Sequence, residues 1–427
     1  MRRSLSLLMV ILLLGASYVF GAGTQEQVTP GQPSDIMVAH SAGRIAPEFM
    51  EWSVRNYPFV TLNPLAGTSG DNLNYFTIRM ASGDHQPDVV ELDIVWPATF
   101  AAAEWIIPLN EYVSADEIAK HIPSYVQSLT IDGNLTAFPT RADCLVFYYR
   151  SDLLEKYGFQ PPRTWDEMIQ QARTIVAGEN DRNLYGFSWA GGNIENLLAV
   201  FLTFLWGEGG TIVDSNGNLT LNSDEGVRAL QLMIDMIHEY GMSPQGTTTL
   251  ATDAARVEFQ QGRGVFSINW TYAWGRFQED GSAIQGKVGM TVPPTTTTEF
   301  EPAVALGGRH WSVNRNSRYP EHAVRVAQQL ASEEVQKQRA ILESNPPTLL
   351  ALYDDPEVLE AMPWLGDYLP IVQSGRSRPH SPQYSQVSEL IRNELHNAIT
   401  LQKPARRALD DAVRNLRNAD LKIFPES

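Results

Sequence analysis

Short apolar runs alternate with longer amphipathic stretches along most of this chain, and few architectures accept that rhythm. Runs such as Asp88–Val95 (DVVELDIV), Cys144–Tyr149 (CLVFYY), Leu184–Trp189 (LYGFSW), Gly264–Asn269 (GVFSIN) and Gly308–Asn314 (GRHWSVN) have strand length. They lack the strict polar alternation of a sheet with one wet face, so they read as strands covered on both sides. Between them lie helices with start signals. Thr164 and Glu167 have capping-box spacing ahead of an apolar stripe, and Ser223 is placed to cap a helix that stops at Gly241. Two more helices close the chain, SPQYSQVSELIRNELHNAI and PARRALDDAVRNLRNA. The pattern predicts an α/β protein with largely parallel sheets.

Length divides the fold. With 427 residues the chain exceeds what one hydrophobic core organises, so two domains are expected. The first residues stand apart from both. Arg2 and Arg3 precede an apolar run from Leu5 to Phe20, then Gly21, Ala22 and Gly23, which together read as an export signal over residues 1–23. Residues 24–33 are polar and read as a flexible leader. Cys144 is the single cysteine, so neither an intramolecular disulfide nor a lipid-bearing cysteine near the cleavage region is available. The expectation is a periplasmic chain stabilised by its core. Asn196–Trp206 (NLLAVFLTFLW) is apolar all round but too short to span a bilayer, and reads as a buried helix.

The formal charge of −17, with Lys and Arg scattered, argues against nucleic acid and anionic membranes as partners. No phosphate loop, metal-binding histidine pair or G-x-S-x-G elbow occurs, and neither a metal nor a cofactor is expected. Asp214–Glu225 approaches a calcium loop, but Leu219 stands where the sharp turn needs Gly, and Asn216–Gly217 suits a hairpin instead. Thr291–Pro302 (TVPPTTTTEFEP) reads as an exposed loop or crossing strand.

Polar and aromatic residues gather where strands end. Asp93 and Trp96 follow the first run, Trp189 the third, and SINWTYAWG (Ser267–Gly275) carries Trp270, Tyr272 and Trp274 past the fourth. Ligands of open α/β sheets are met beyond the carboxyl ends of strands. Trp270 and Tyr272 share a face if extended; a helix from Thr271 would align Trp274 with Trp270. Aromatic rings suit the C–H faces of sugars, and Asp and Arg suit their hydroxyls. The same rings could cage a cation such as a polyamine or betaine. Paired acids such as Asp93 and Asp143 leave a secreted glycosidase open.

Five stretches resemble the extracytoplasmic solute-binding proteins of ABC sugar importers, most closely the trehalose/maltose-binding group: Ala81–Val113, Phe147–Met168, Ile268–Gly275, Leu306–Ser317 and Arg378–Ile399. They keep the family's order and span the chain from about residue 35 to its end. The resemblance implies a two-lobe periplasmic binding protein fold of class II type, with crossing hinge strands. It implies lobes of residues 34–139 with 303–355 and 140–302 with 356–427, crossing near Pro139–Arg141, Pro302 and Asp355. It implies a monomer that hands a di- or oligosaccharide to a membrane permease and catalyses nothing. Ligand-binding roles carry over to Asp93, Asp143, Trp270, Tyr272, Gly308, Arg378 and, through a looser match, Glu195. Three positions depart. Thr271 replaces the Pro between the stacking rings. Arg309 stands where the family often has Trp after two glycines, so a ring is lost unless Trp311 compensates. Asn72 stands where an Arg is common. Arg309 and Asn72 are carried as ligand-binding positions with altered specificity, and Arg309 would suit a sugar bearing an acid group.

Overall fold

A computed structural model describes residues 35–43 and 45–425. The export signal and leader expected over residues 1–33 lie outside them. Two main sheets organise the chain. The first has the order Arg309–Val313, Val89–Asp93, Ile36–Ser41, Val60–Leu65. Its inner pairs are parallel, Val38 beside Val89 and Ile36 beside Val60, while Arg309–Val313 runs antiparallel with Arg309 opposite Asp93. Ile36, Val38, Val89, Val90 and Leu92 are fully buried, as continuous apolar strands between two layers of helices require.

The second sheet has the order Gly375–Arg376, Val304–Gly307, Asp143–Arg150, Gly264–Trp270, Tyr185–Ser188. Asp143–Arg150 is its central strand. It takes Val304–Gly307 along its first residues and Val288–Thr291 along its last, on the flank away from Gly264–Trp270. Rings fill the space beside it: Phe147 stacks on Phe266 at 5.6 Å, and Trp165 lies flat on Phe204 at 4.2 Å. Phe204 belongs to the helix Glu195–Gly207, which is buried at every position from Asn196 onward, as its unbroken apolar sequence anticipates.

Local signals resolve as the sequence reads. Thr164 and Glu167 exchange capping-box hydrogen bonds ahead of the helix Trp165–Glu179, and the Ser223 hydroxyl accepts from the Gly226 N–H to start Asp224–His238. Asp214 folds back onto the Asn216 and Asn218 N–H groups, Gly217 adopts φ +83°, and Val213 bridges Leu219, so this segment is a hairpin. Among the described residues no group of three or more His, Cys, Asp or Glu side chains could hold a metal ion. Thr291–Pro302 forms no crossing strand. Pro293, Pro294 and Thr295 are buried, and Thr297–Phe300 is exposed.

The chain changes sheet within three residues. Gly307 still pairs with Asp143 in the second sheet, and Arg309 already pairs with Asp93 in the first. The passage therefore falls at Gly308, beyond the return expected near Pro302, because Val304–Gly307 belongs to the second sheet. Gly308 adopts φ +110°, and a Cβ there would stand 2.6 Å from the Arg141 carbonyl oxygen. Arg141 lies on the neighbouring passage, between Phe138, which bridges Trp311, and Asp143.

Candidate functional site

The carboxyl end of Val89–Asp93 leaves Asp93 with its side chain about 25% exposed, and the Asp93 carbonyl accepts the Trp96 N–H as the chain turns into the helix Pro97–Ala102. Two guanidinium groups flank the Asp93 carboxylate without touching it. Arg309 Nη2 is 4.0 Å from one oxygen and Arg378 Nη2 is 3.7 Å from the other, beyond hydrogen-bond reach, so both oxygens keep capacity to accept.

Arg309 is fixed from the first sheet. Its Nη2 donates to Ser69 Oγ at 2.6 Å, and its guanidinium lies 5.0 Å from the Trp96 ring centre. Ser69 opens the helix Ser69–Ala81, and Asn72 follows one turn on, 2% exposed, with Nδ2 donating to Ser41 Oγ at 2.7 Å. Trp311 does not make good the missing ring, because it is buried in the strand opposite Glu91.

Arg378 is fixed from the second sheet, two residues beyond Gly375–Arg376. Its Nη1 donates to Glu195 Oε1 at 2.7 Å and its Nη2 to the Leu306 carbonyl at 3.3 Å. Glu195 sits in the first turn of its helix, where a carboxylate favours the helix dipole, and also accepts from Tyr384 and Ser388 hydroxyls four residues apart on one helix face. Burial works against the charge on Arg378, but Tyr384, Glu195 and Asp93 outweigh it and raise the pKa above that of an ordinary arginine. The group remains a cation. Its guanidinium also stands 5.8 Å from the Trp270 ring centre, so Arg378 joins Asp93 to Trp270.

Trp270 ends its strand half-buried, and its ring edge rests on the backbone of Gly307, where a Cβ would stand 2.6 Å from Cζ3. Thr271, in the position expected to favour Pro, supplies an N–H that lies 3.3 Å from Asp143 Oδ1 and 3.2 Å from the Cys144 carbonyl oxygen, while its hydroxyl meets Tyr368 at 2.9 Å. Asp143 also lies 3.5 Å from Arg141 Nη2. The Tyr272 hydroxyl donates to Asp253 at 2.7 Å, and burial first, then this carboxylate, raises its pKa. Trp274 packs against Trp364 at 5.7 Å, for the helix begins at Ala273 rather than Thr271. Cys144 is buried, and burial holds its thiol protonated.

Asp93, Arg309, Arg378, Glu195 and Trp270 thus form one contiguous set drawn from both sheets. Asn72 joins it through the Ser69 helix, and Asp143 through Thr271. Gly308 gives its carbonyl to the Ile94 N–H, so what it supplies is a backbone angle. Tyr272 is turned to Asp253. Sequence reasoning missed Ser69, Tyr384 and Ser388, although Ser69 is one turn from Asn72 and the other two follow Arg378 on the next helix. A cavity of about 10 Å³, roughly room for one water, lies beside Arg378 between Ile94, Val95 and Ser128 on one side and Leu306, Ser377 and His380 on the other. A surface groove of about 360 Å³ beside Tyr240 contains none of these residues.

Chemically, the set offers carboxylate acceptors, guanidinium donors and an indole face, which is what a polyhydroxylated ring requires. The sequence matches the family described as bacterial extracellular solute-binding protein over residues 55–337. A probable ABC transporter-binding protein from Deinococcus radiodurans is 32% identical over 376 residues, which are 86% of this chain and 88% of that one. An arabinooligosaccharide-binding protein from Bacillus subtilis is 26% identical over 64% of this chain and 62% of its own length. Among solved structures, maltose-bound T. maritima MalE3 matches with a TM-score of 0.81 at 33% identity, covering 90% of this chain and 99% of that chain. A solute-binding protein from Agrobacterium radiobacter K84 in complex with ribitol shares the fold, with a TM-score of 0.79 at 21% identity over 91% of this chain and 100% of its own.

Proposed function

Because this chain belongs to the bacterial extracellular solute-binding protein family, we propose that it captures a di- or oligosaccharide between its two lobes and delivers it to an ABC permease. The observation that carries this reading is the Asp93 carboxylate, open to hydrogen bonds and flanked by guanidiniums from separate sheets, with the Trp270 ring beside one of them. One lobe takes residues 35–139 and 309–355, the other 140–307 and 356–425, with Gly308 on the passage between. Ligand touching both lobes favours the closed form over the open one, so binding shifts the population towards closure, and the permease reads the closed shape. In this reading the protein works as a periplasmic monomer and performs no reaction.

A thermal-shift screen of the mature chain against di- and oligosaccharides, polyamines and betaines tests the proposal. At least one saccharide should raise the melting temperature by mass action and alter tryptophan fluorescence. Replacement W270A should weaken that saccharide by more than tenfold, about 1.4 kcal/mol, and leave the ligand-free melting temperature near its original value. A response confined to cations, or release of reducing ends from a bound glycan, refutes it.

A further inference from the structure

Tyr272 stands two residues past Trp270, with Thr271 between them. Thr271 is 2% exposed and its hydroxyl meets Tyr368, whereas Trp270 and Tyr272 are each half-buried. Side chains on either side of an inward-pointing residue share the outer side of the chain. The Tyr272 hydroxyl is already committed to Asp253 Oδ1 at 2.7 Å, so what Tyr272 still offers is its ring.

The helix Thr252–Gln260 holds this turn at three points. At its start the Thr252 carbonyl accepts Asn269 Nδ2 at 3.2 Å, while Asn269 Oδ1 accepts the Trp270 N–H at 2.8 Å. The reverse amide would set oxygen against the carbonyl and nitrogen against the N–H, so the two contacts fix its orientation. One residue on, Asp253 takes the Tyr272 hydroxyl. At the end of the helix Gln260 Nε2 donates to the Arg276 carbonyl at 2.7 Å. Arg256 steadies the Asp253 carboxylate from the side: its Nε donates to the same oxygen at 3.2 Å, and its Nη1 reaches Gln260. The Asp253 side chain is 76% exposed, so its pair with Arg256 adds little to stability. What it holds in place is a ring. Asp253 also lies outside the five stretches that resemble sugar-importer proteins.

We propose that Asp253 is a positioning residue for sugar binding. It fixes Tyr272 by the hydroxyl, so that the ring stands ready beside Trp270 as a second stacking face, and neither Asp253 nor that hydroxyl touches the saccharide. A phenol free to turn must be ordered when ligand arrives; one already held is not, and the difference appears as affinity. The assignment rests on the sugar reading above.

Calorimetry of the mature chain tests it, using the tightest binder among maltose, maltotriose, trehalose, arabinobiose and galactobiose. The variants are D253A, D253N, Y272F and the double variant of D253A with Y272F. D253A and Y272F should each weaken that sugar about two- to tenfold. The double variant should lose no more than either alone, because both act through one hydrogen bond. D253N keeps an oxygen that accepts the hydroxyl and should recover most of the affinity. Should D253A fail to fold, D253S, too short to reach the hydroxyl, takes its place. A lower ligand-free melting temperature with unchanged affinity marks a merely structural role and overturns the assignment. So do losses that add in the double variant. Binding weakened in Y272F but not in D253A also overturns it, since the hydroxyl would then meet the sugar itself. A wild type that binds no sugar of the panel defeats the sugar reading, whereas weakening in W270A alone leaves that reading standing and removes only the role of Asp253.

Discussion

Replacing Gly307 by alanine moves one ring and little else. The new Cβ would stand 2.6 Å from Trp270 Cζ3 and 3.1 Å from Cε3, with the nearest backbone atom, the Asp143 carbonyl oxygen, at an ordinary 3.5 Å. Comfortable carbon contacts begin near 3.5–4.0 Å, so the indole edge must retreat by about 1 Å. Trp270 is half-buried and can give way, at a rotamer cost of about 0.5–1.5 kcal/mol. The displaced ring leaves the plane proposed to meet a sugar face and its place 5.8 Å from the Arg378 guanidinium. Losing a well-placed aromatic contact is worth about 0.5–1.5 kcal/mol, so Kd should rise roughly two- to tenfold. Calorimetry with the saccharide selected by thermal shift measures this, in the wild-type and W270A backgrounds. The loss should vanish in W270A, because the methyl group acts only through the ring. Undiminished affinity in G307A, or an equal loss without the indole, refutes the reasoning.

Two further changes probe the region where the sheets exchange. G308A places an L side chain at φ +110° with its Cβ 2.6 Å from the Arg141 carbonyl, and should destabilise by about 2–4 kcal/mol in urea unfolding; an unaltered midpoint refutes it. His310 is fully buried and its Nδ1 accepts the Thr140 N–H at 3.3 Å; burial first, then His121, Arg141 and Arg309, pushes its pKa down to about 3. The unfolded chain takes that proton near 6.5 while the folded chain resists it, so this stability is intact above pH 6.5 and drains as pH falls towards 3. H310Q, which cannot take the proton, should lose about 2 kcal/mol less between pH 7 and pH 5 than the wild type. Equal losses in the two chains would contradict this.

The sequence reveals what is local. The Thr164–Glu167 box and the Asn216–Gly217 turn are closed by residues two to four apart, so their chemistry is readable without a fold. The five strand centres are equally plain, because strands covered on both faces are apolar throughout. That same property hides Trp311: with both faces buried, alternation cannot say which ring faces a ligand and which a neighbouring layer. Trp274 could not be assigned because its partner, Trp364, lies ninety residues away. The passage at Gly308 escaped because Val304–Gly307 is only four residues long and is defined by its pairing with Asp143–Arg150. Arg378, Asp93 and Trp270 were each named as candidates without a fold, but that the three lie together, and that Arg309 and Asn72 keep unmet atoms, emerges only when their neighbours are in place.

The helix Glu195–Gly207 has a consequence for how such a protein reaches its station. A chain exported by the unfolded route is threaded through a secretion channel before it folds, and there every greasy segment is offered to the lipid. Thirteen residues make a rod of about 20 Å, short of the roughly 30 Å of hydrocarbon that a stable membrane anchor must cover. Two more turns of the same composition would turn this centrepiece of the folded interior into a stop signal during transit.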